Sequence, residues 1–229
     1  MRIRSFVIAY ALVLAVLLFA DRRPGSTQQD RYSHVVDLTD GRDATAPRAL
    51  ATESRTHIIA PGALMPGTWT AGQIPPERLV APLVVLDLNP RTKGSSIQGI
   101  SPISLDDIAT WESRHGMIPQ GAVVAIRSPG ANDLSTGDVS TASFPVTRDA
   151  VVFLIEARYT IGFAVETPVN LSSDRTLARQ LALHGSYVLE GTARFTSLPS
   201  TGSLIIVAPA KETTKKPGET DVRILAMVR

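Results

Sequence analysis

A mixed α/β domain is predicted by three features of this sequence. Short β-branched apolar runs recur at 79–88, 121–127, 160–166, 202–208 and 222–228, each too short to stand as an independent helix. Only two or three stretches between them carry helical spacing with capping residues. A chain of 229 residues, 44% hydrophobic and 19% charged, can bury a sizeable core and does so most simply as one domain.

The elements follow in order. Arg2 and Arg4 precede an unbroken apolar run over 6–20, which Asp21-Arg22-Arg23-Pro24-Gly25 ends. A basic head and so short an apolar run fit a secretory signal over residues 1–20 better than a membrane span, which needs about 20 apolar residues. Ala20 suits a cleavage site, whereas Leu18 is large where a small residue is preferred. An uncleaved N-terminal anchor, held at the interface by Arg22 and Arg23, is the alternative. The expected location is periplasmic or secreted. Residues 21–31 are polar and read as a flexible tether, and the domain proper spans 32–229.

Residues 32–39 (YSHVVDLT) alternate as a strand, 40–56 read as loop, and 79–88 (LVAPLVVLDL) as a buried strand. In 104–115 (SLDDIATWESRH), Ser104 is the N-cap and Asp107 nearly completes a capping box, with Leu105, Ile108 and Trp111 at helical spacing. Residues 121–127 (GAVVAIR) form another buried strand, and the Gly-, Ser- and Asp-rich 128–143 a surface loop. Thr147 can cap a helix over 148–158, with Ala150, Phe153 and Leu154 inward. A strand over 160–166 precedes a helix that starts at Ser173 or Asp174 and runs to His184, where Gly185 suits a left-handed end. Strands at 186–189, 202–208 and 222–228 complete the domain. The last two flank a charged loop over 211–220, turned at Pro217-Gly218.

Several function classes are excluded. With 23 Lys+Arg against 21 Asp+Glu the net charge is +2, and the basic residues form no aromatic-interleaved stripe, so nothing points to nucleic acid. No Cys is present, which removes disulfides, thiol catalysis and a lipidated-Cys anchor. Neither a G-x-S-x-G elbow nor a G-x-G-x-x-G loop occurs, and Ser54 and Ser128 are ordinary loop serines. His34, His115 and His184 read as structural, and Trp69 and Trp111 as core or interface aromatics.

The most informative stretch is 52–64, TESRTHIIAPGAL, followed by GTWTAGQIPPERLVAPLVVLDL over 67–88. Together they resemble the cyclase family, which includes the bacterial kynurenine formamidases. That family carries His-x-Gly-Thr-His-x-Asp-x-Pro-x-His here, then a Trp, an IPPERL stretch and a buried strand. The likeness continues through 32–39, 104–127, 181–207 (LALHGSYVLEGTARFTSLPSTGSLIIV) and the final APAKETTKKPGETDVRILAMVR. It implies a swivelling β/β/α domain with a mixed central sheet, a homo-oligomer (dimer or tetramer) and metal-dependent amide hydrolysis of arylformamidase type.

The same resemblance locates a site. The family holds Zn or Mn with the two first His and the Asp of the motif, and with a later His and Glu; the motif's last His is its general acid or base. Thr56, His57 and Pro61 match the motif. Glu53 replaces the first His, Arg55 the Gly, Ile59 the Asp and Ala63 the last His. Glu190 in YVLEG matches the later Glu, and Ala178 stands at the later His position, twelve residues before it. Ile59 cannot bridge two cations, and Ala63 cannot take a proton from an attacking water.

The remaining donors are His57, Glu190 and Glu53, a set compatible with one weakly bound Zn or Mn or with none. The competing reading makes His57 a hydrogen-bonded remnant, pairs Glu190 with Arg55 and leaves Glu53 solvated. The expected protein is thus an exported family member without two-metal catalysis, persisting as a binding or assembly protein, with a small-molecule ligand possible and membrane contact only through an uncleaved N-terminal segment. The alternative is an active amide hydrolase with an altered metal site, taking N-formylkynurenine to kynurenine. Two geometric expectations follow: His57 and Glu190 approach closely, and Ile59, Ala63 and Ala178 line one apolar cavity.

Overall fold

The computed structural model describes residues 32–39, 56–87, 102–127, 143–166, 168–192, 195–211 and 219–229. The chain divides into Met1–Ser33 and His34–Arg229, and the account below concerns the second unit. The signal, the tether, the loops at 40–55 and 128–142, and with them Glu53 and Arg55, lie outside the described residues.

Eight strands are described: β1 (His34–Asp37), β2 (His57–Ile59), β3 (Val80–Asp87), β4 (Val123–Arg127), β5 (Gly162–Val165), β6 (Tyr187–Glu190), β7 (Ser203–Pro209) and β8 (Glu219–Val228). Their order is β1-β8-β2-β6-β5-β4-β3-β7, and β7 pairs back onto β8. Seven strands therefore close into a barrel-like ring, and β1 joins the β8 edge that also carries β2. The run β3-β4-β5-β6 is parallel, while every other pairing is antiparallel. The fold is the expected mixed α/β domain, with its sheet closed on itself.

The two halves bury their residues differently, and the sequence shows why. On the parallel strands both faces are covered, so the apolar runs are continuous. Leu83, Val85, Val123, Ala125, Ala164 and Leu189 point into the ring, where Phe195 and Ile224 meet them. Their neighbours Val84, Leu86, Val124, Ile126, Phe163 and Val188 point outward beneath the helices. On β7 and β8, Ile205, Val207, Ile224 and Ala226 are fully or almost fully buried, while their sequence neighbours Ile206, Ala208, Arg223 and Leu225 are less so. That alternation marks a sheet with one wet face.

The helices are a single turn, α1 (Pro61–Leu64), then α2 (Leu105–His115), α3 (Arg148–Arg158) and α4 (Arg175–Leu183). Ser104 and Asp107 form a reciprocal capping box at the start of α2, so two orphan donors are satisfied. Asp174 caps α4 by accepting from the Thr176 and Leu177 amides, and Gly185 follows its end at φ +66. On α2, Ile108 is buried and Trp111 half-buried, with the indole donating to the Val85 carbonyl at 3.1 Å. Leu105 departs from the expectation: as the first residue of its helix it lies at the rim and is exposed. On α3, Val151 and Ile155 join Ala150 and Leu154 inside, whereas Phe153 is half-buried beneath the Arg158 guanidinium, 4.7 Å from its ring. Thr147 precedes α3 without a side-chain cap bond. Among the described residues no helix is long and apolar enough to cross a membrane.

Candidate functional site

β2 is the shortest of the described strands and carries the centre of the motif. Ile58 points into the ring, so His57 and Ile59 share the outer, helix-side face. Pairing in an antiparallel ladder places His57 directly opposite Glu190 of β6 on one side and Asp221 of β8 on the other. The His57 Nε2 atom lies 3.1 Å from Glu190 Oε2, close but without the alignment of a hydrogen bond, with the side chains 15% and 4% exposed. Two residues separated by 133 positions thus meet, as expected.

Glu190 is doubly engaged. Its Oε1 accepts the Val169 backbone N–H at 3.1 Å, so the carboxylate joins β6 to the segment after β5. The surroundings are tied in the same manner. The buried Thr56 hydroxyl donates to the Gly191 carbonyl at 2.6 Å, and the Thr56 carbonyl accepts the Val222 N–H at 3.3 Å. Thr192, next along, donates through its hydroxyl to the Val165 carbonyl at 2.7 Å. Glu190, Thr56 and Thr192 are each matched by a backbone partner, which offsets the penalty of burying them.

The replaced positions differ in burial. Ile59 is buried among the outer-face apolar residues, opposite Val188. Ala178 is buried on α4, which packs against α1. Ala63, by contrast, is exposed on α1, so it does not share the buried environment of Ile59 and Ala178. A single turn beginning at Pro61 turns that residue outward.

Downstream, the IPPERL stretch makes a structural latch. Arg78 donates to the carbonyls of His184 (3.3 Å) and Gly185 (3.1 Å) at the end of α4, and lies 5.5 Å from the Trp69 ring. The buried Tyr187 hydroxyl donates to the Arg78 carbonyl at 2.8 Å. Burial raises that phenol far above its ordinary titration range, so it stays neutral and acts as a donor. Trp69 is partly exposed and packs against the helix end rather than in the interior.

Does this donor set fit a metal ion? His57 and Glu190 supply one imidazole and one carboxylate, the latter already holding an amide. Asp221 is the acid that sequence reasoning passed over. Only strand register reveals it, and its side chain is exposed. Among the described residues no group of three His, Asp or Glu side chains is placed to hold a metal. Two donors fall short of the three or more protein ligands that Zn sites use, so the described residues do not fit a metal centre.

Comparison with known proteins agrees with this architecture. A family model described as "Cyclase: Putative cyclase" matches residues 26–170. Among solved structures, isatin hydrolase A from Ralstonia solanacearum superposes with a TM-score of 0.69 at 24% identity, covering 86% of this chain and 92% of that one. Isatin hydrolase A from Labrenzia aggregata, bound to benzyl benzoate, gives 0.66 at 24% identity, over 96% and 99% of the two chains. A structure described as a potential metal-dependent hydrolase with cyclase activity gives 0.61 at 20% identity, over 86% and 98%. No curated protein matches.

Proposed function

Because this chain belongs to the Cyclase family, we propose that it is a member that keeps the hydrolase fold without the family's metal-dependent hydrolysis, acting after export as a binding or assembly protein. The observation that carries this reading is the donor set around His57. The two retained residues are packed on each other, Ile59 fills the outer-face core where the motif has an acid, and Ala63 offers no proton acceptor. A site of this kind lacks the negative charge needed to offset the desolvation of two divalent ions. Export rests on the basic head and apolar run of residues 1–20, and self-assembly as a dimer or tetramer on the family resemblance alone.

A second reading is favoured by the 3.1 Å contact itself, since His57 and Glu190 are two of the three donors of a His/Glu/Glu site completed by Glu53. On that reading the chain hydrolyses an amide of the N-formylkynurenine or isatin type. Elemental analysis and an activity assay separate the two. The purified protein is expected to carry at most a substoichiometric, weakly held Zn or Mn and to leave N-formylkynurenine intact. Stoichiometric metal removed by His57→Ala, with hydrolysis abolished by a chelator, would establish the second reading instead.

A further inference from the structure

We infer that the buried His57–Glu190 contact is a metal-independent clasp that locks β2, the ring-closing strand, into the barrel; this rests on the reading that the site has lost its hydrolytic centre. β2 has three residues, yet it is the strand that joins β6 to β8 in the ring. So short a strand forms few ladder bonds, and sheet stability at such a place comes from cross-strand side-chain pairs. His57 and Glu190 are that pair, in register, the carboxylate buried and the imidazole largely so.

The geometry makes the contact more than a local pairing. Glu190 Oε2 faces β2 while Oε1 holds the Val169 amide, so one carboxylate spans β2, β6 and the segment leading to α4. Thr56, the residue before His57, adds its hydroxyl to the Gly191 carbonyl and its carbonyl to the Val222 amide. Truncating His57 leaves Glu190 Oε2 buried and facing β2 without the imidazole, which is the costly way to remove one member of a polar pair. The remaining ladder of β2 would then open locally while the parallel half of the ring, with both faces packed, stays closed.

Hydrogen exchange read peptide by peptide tests this on the whole protein. His57→Ala, Glu190→Gln (which keeps an acceptor for Val169) and the double variant are compared with the parent, each with and without EDTA. Exchange over 56–60 should rise about tenfold in either single variant, no further in the double, and stay unchanged over 123–127. EDTA should leave the parent's exchange unaltered. If His57→Ala fails to fold, His57→Asn is read in its place. Unchanged exchange over 56–60, additive effects in the double variant, or an EDTA-induced rise in the parent overturns the clasp. Chelator-sensitive hydrolysis overturns the reading beneath it, whatever the exchange pattern.

Discussion

Glu112 shows how much of this structure hangs on single, partly buried charges. Its carboxylate takes two bonds from the Arg158 guanidinium, at 2.7 and 2.8 Å, and a third from the Ile118 amide at 2.9 Å, so α2, α3 and the turn into β4 meet at one group. The Arg158 guanidinium, aided by the Ile118 amide, holds the Glu112 pKa below its ordinary value of 4.5 against the opposing effect of burial. A lowered folded-state pKa means that the stabilisation is complete above the ordinary value and disappears as pH falls through the lowered one. Glu112→Gln should therefore destabilise the protein by about 1.5–3 kcal/mol at neutral pH. The gap should close as the pH drops below 4.5. Urea unfolding of both proteins across that range checks the sign and the window. Nothing in the sequence marks this triad, because Glu112 and Arg158 are 46 residues apart. His57 and Glu190 were legible only because a family motif names both positions; Asp221, which no motif names, became visible only through strand register.

At the level of elements, what the sequence makes readable is local. The capping box at Ser104 and Asp107, the Asp174 cap and the left-handed Gly185 are encoded within a few residues, and each forms as the pattern predicts. β2 escaped because three residues cannot display a period; its strand character is imposed by β6 and β8 on either side. Another constraint comes from a neighbouring strand. Gly162 of β5 lies beside Tyr187 of β6 in the parallel ladder, and a Cβ at 162 would run into the Tyr187 ring. Tyr187 cannot swing away, since its hydroxyl holds the Arg78 carbonyl and its ring is fully buried. Gly162→Ala should thus cost about 1–3 kcal/mol by overpacking, seen as a lowered melting temperature. Adding Tyr187→Phe should recover little, because the ring rather than the hydroxyl is in the way.

Taken as a whole, the domain is a ring with one strand serving three neighbours: β8 borders β7 along one edge and both β1 and β2 along the other. A closed sheet cannot lose one strand without exposing two edges, so residues 34–229 should unfold in a single transition. Coincident urea curves by tryptophan fluorescence, from Trp69 and Trp111, and by far-UV circular dichroism would bear this out. Two separated transitions would mean that the antiparallel and parallel halves melt independently. The position of β8 along the chain also fixes when the protein can first exist in its folded form. β1 is made early, but its partner at 219–228 leaves the ribosome about 10–40 s later at ordinary synthesis rates of 5–20 residues per second. Throughout that interval β1 lacks its β8 partner and β2 has at most one of its two neighbours, so strand edges that the finished ring conceals stay open to other chains. The strands of this molecule are therefore most open to other chains before residues 219–228 pair, whether on the ribosome or, for an exported chain, during its passage across the membrane.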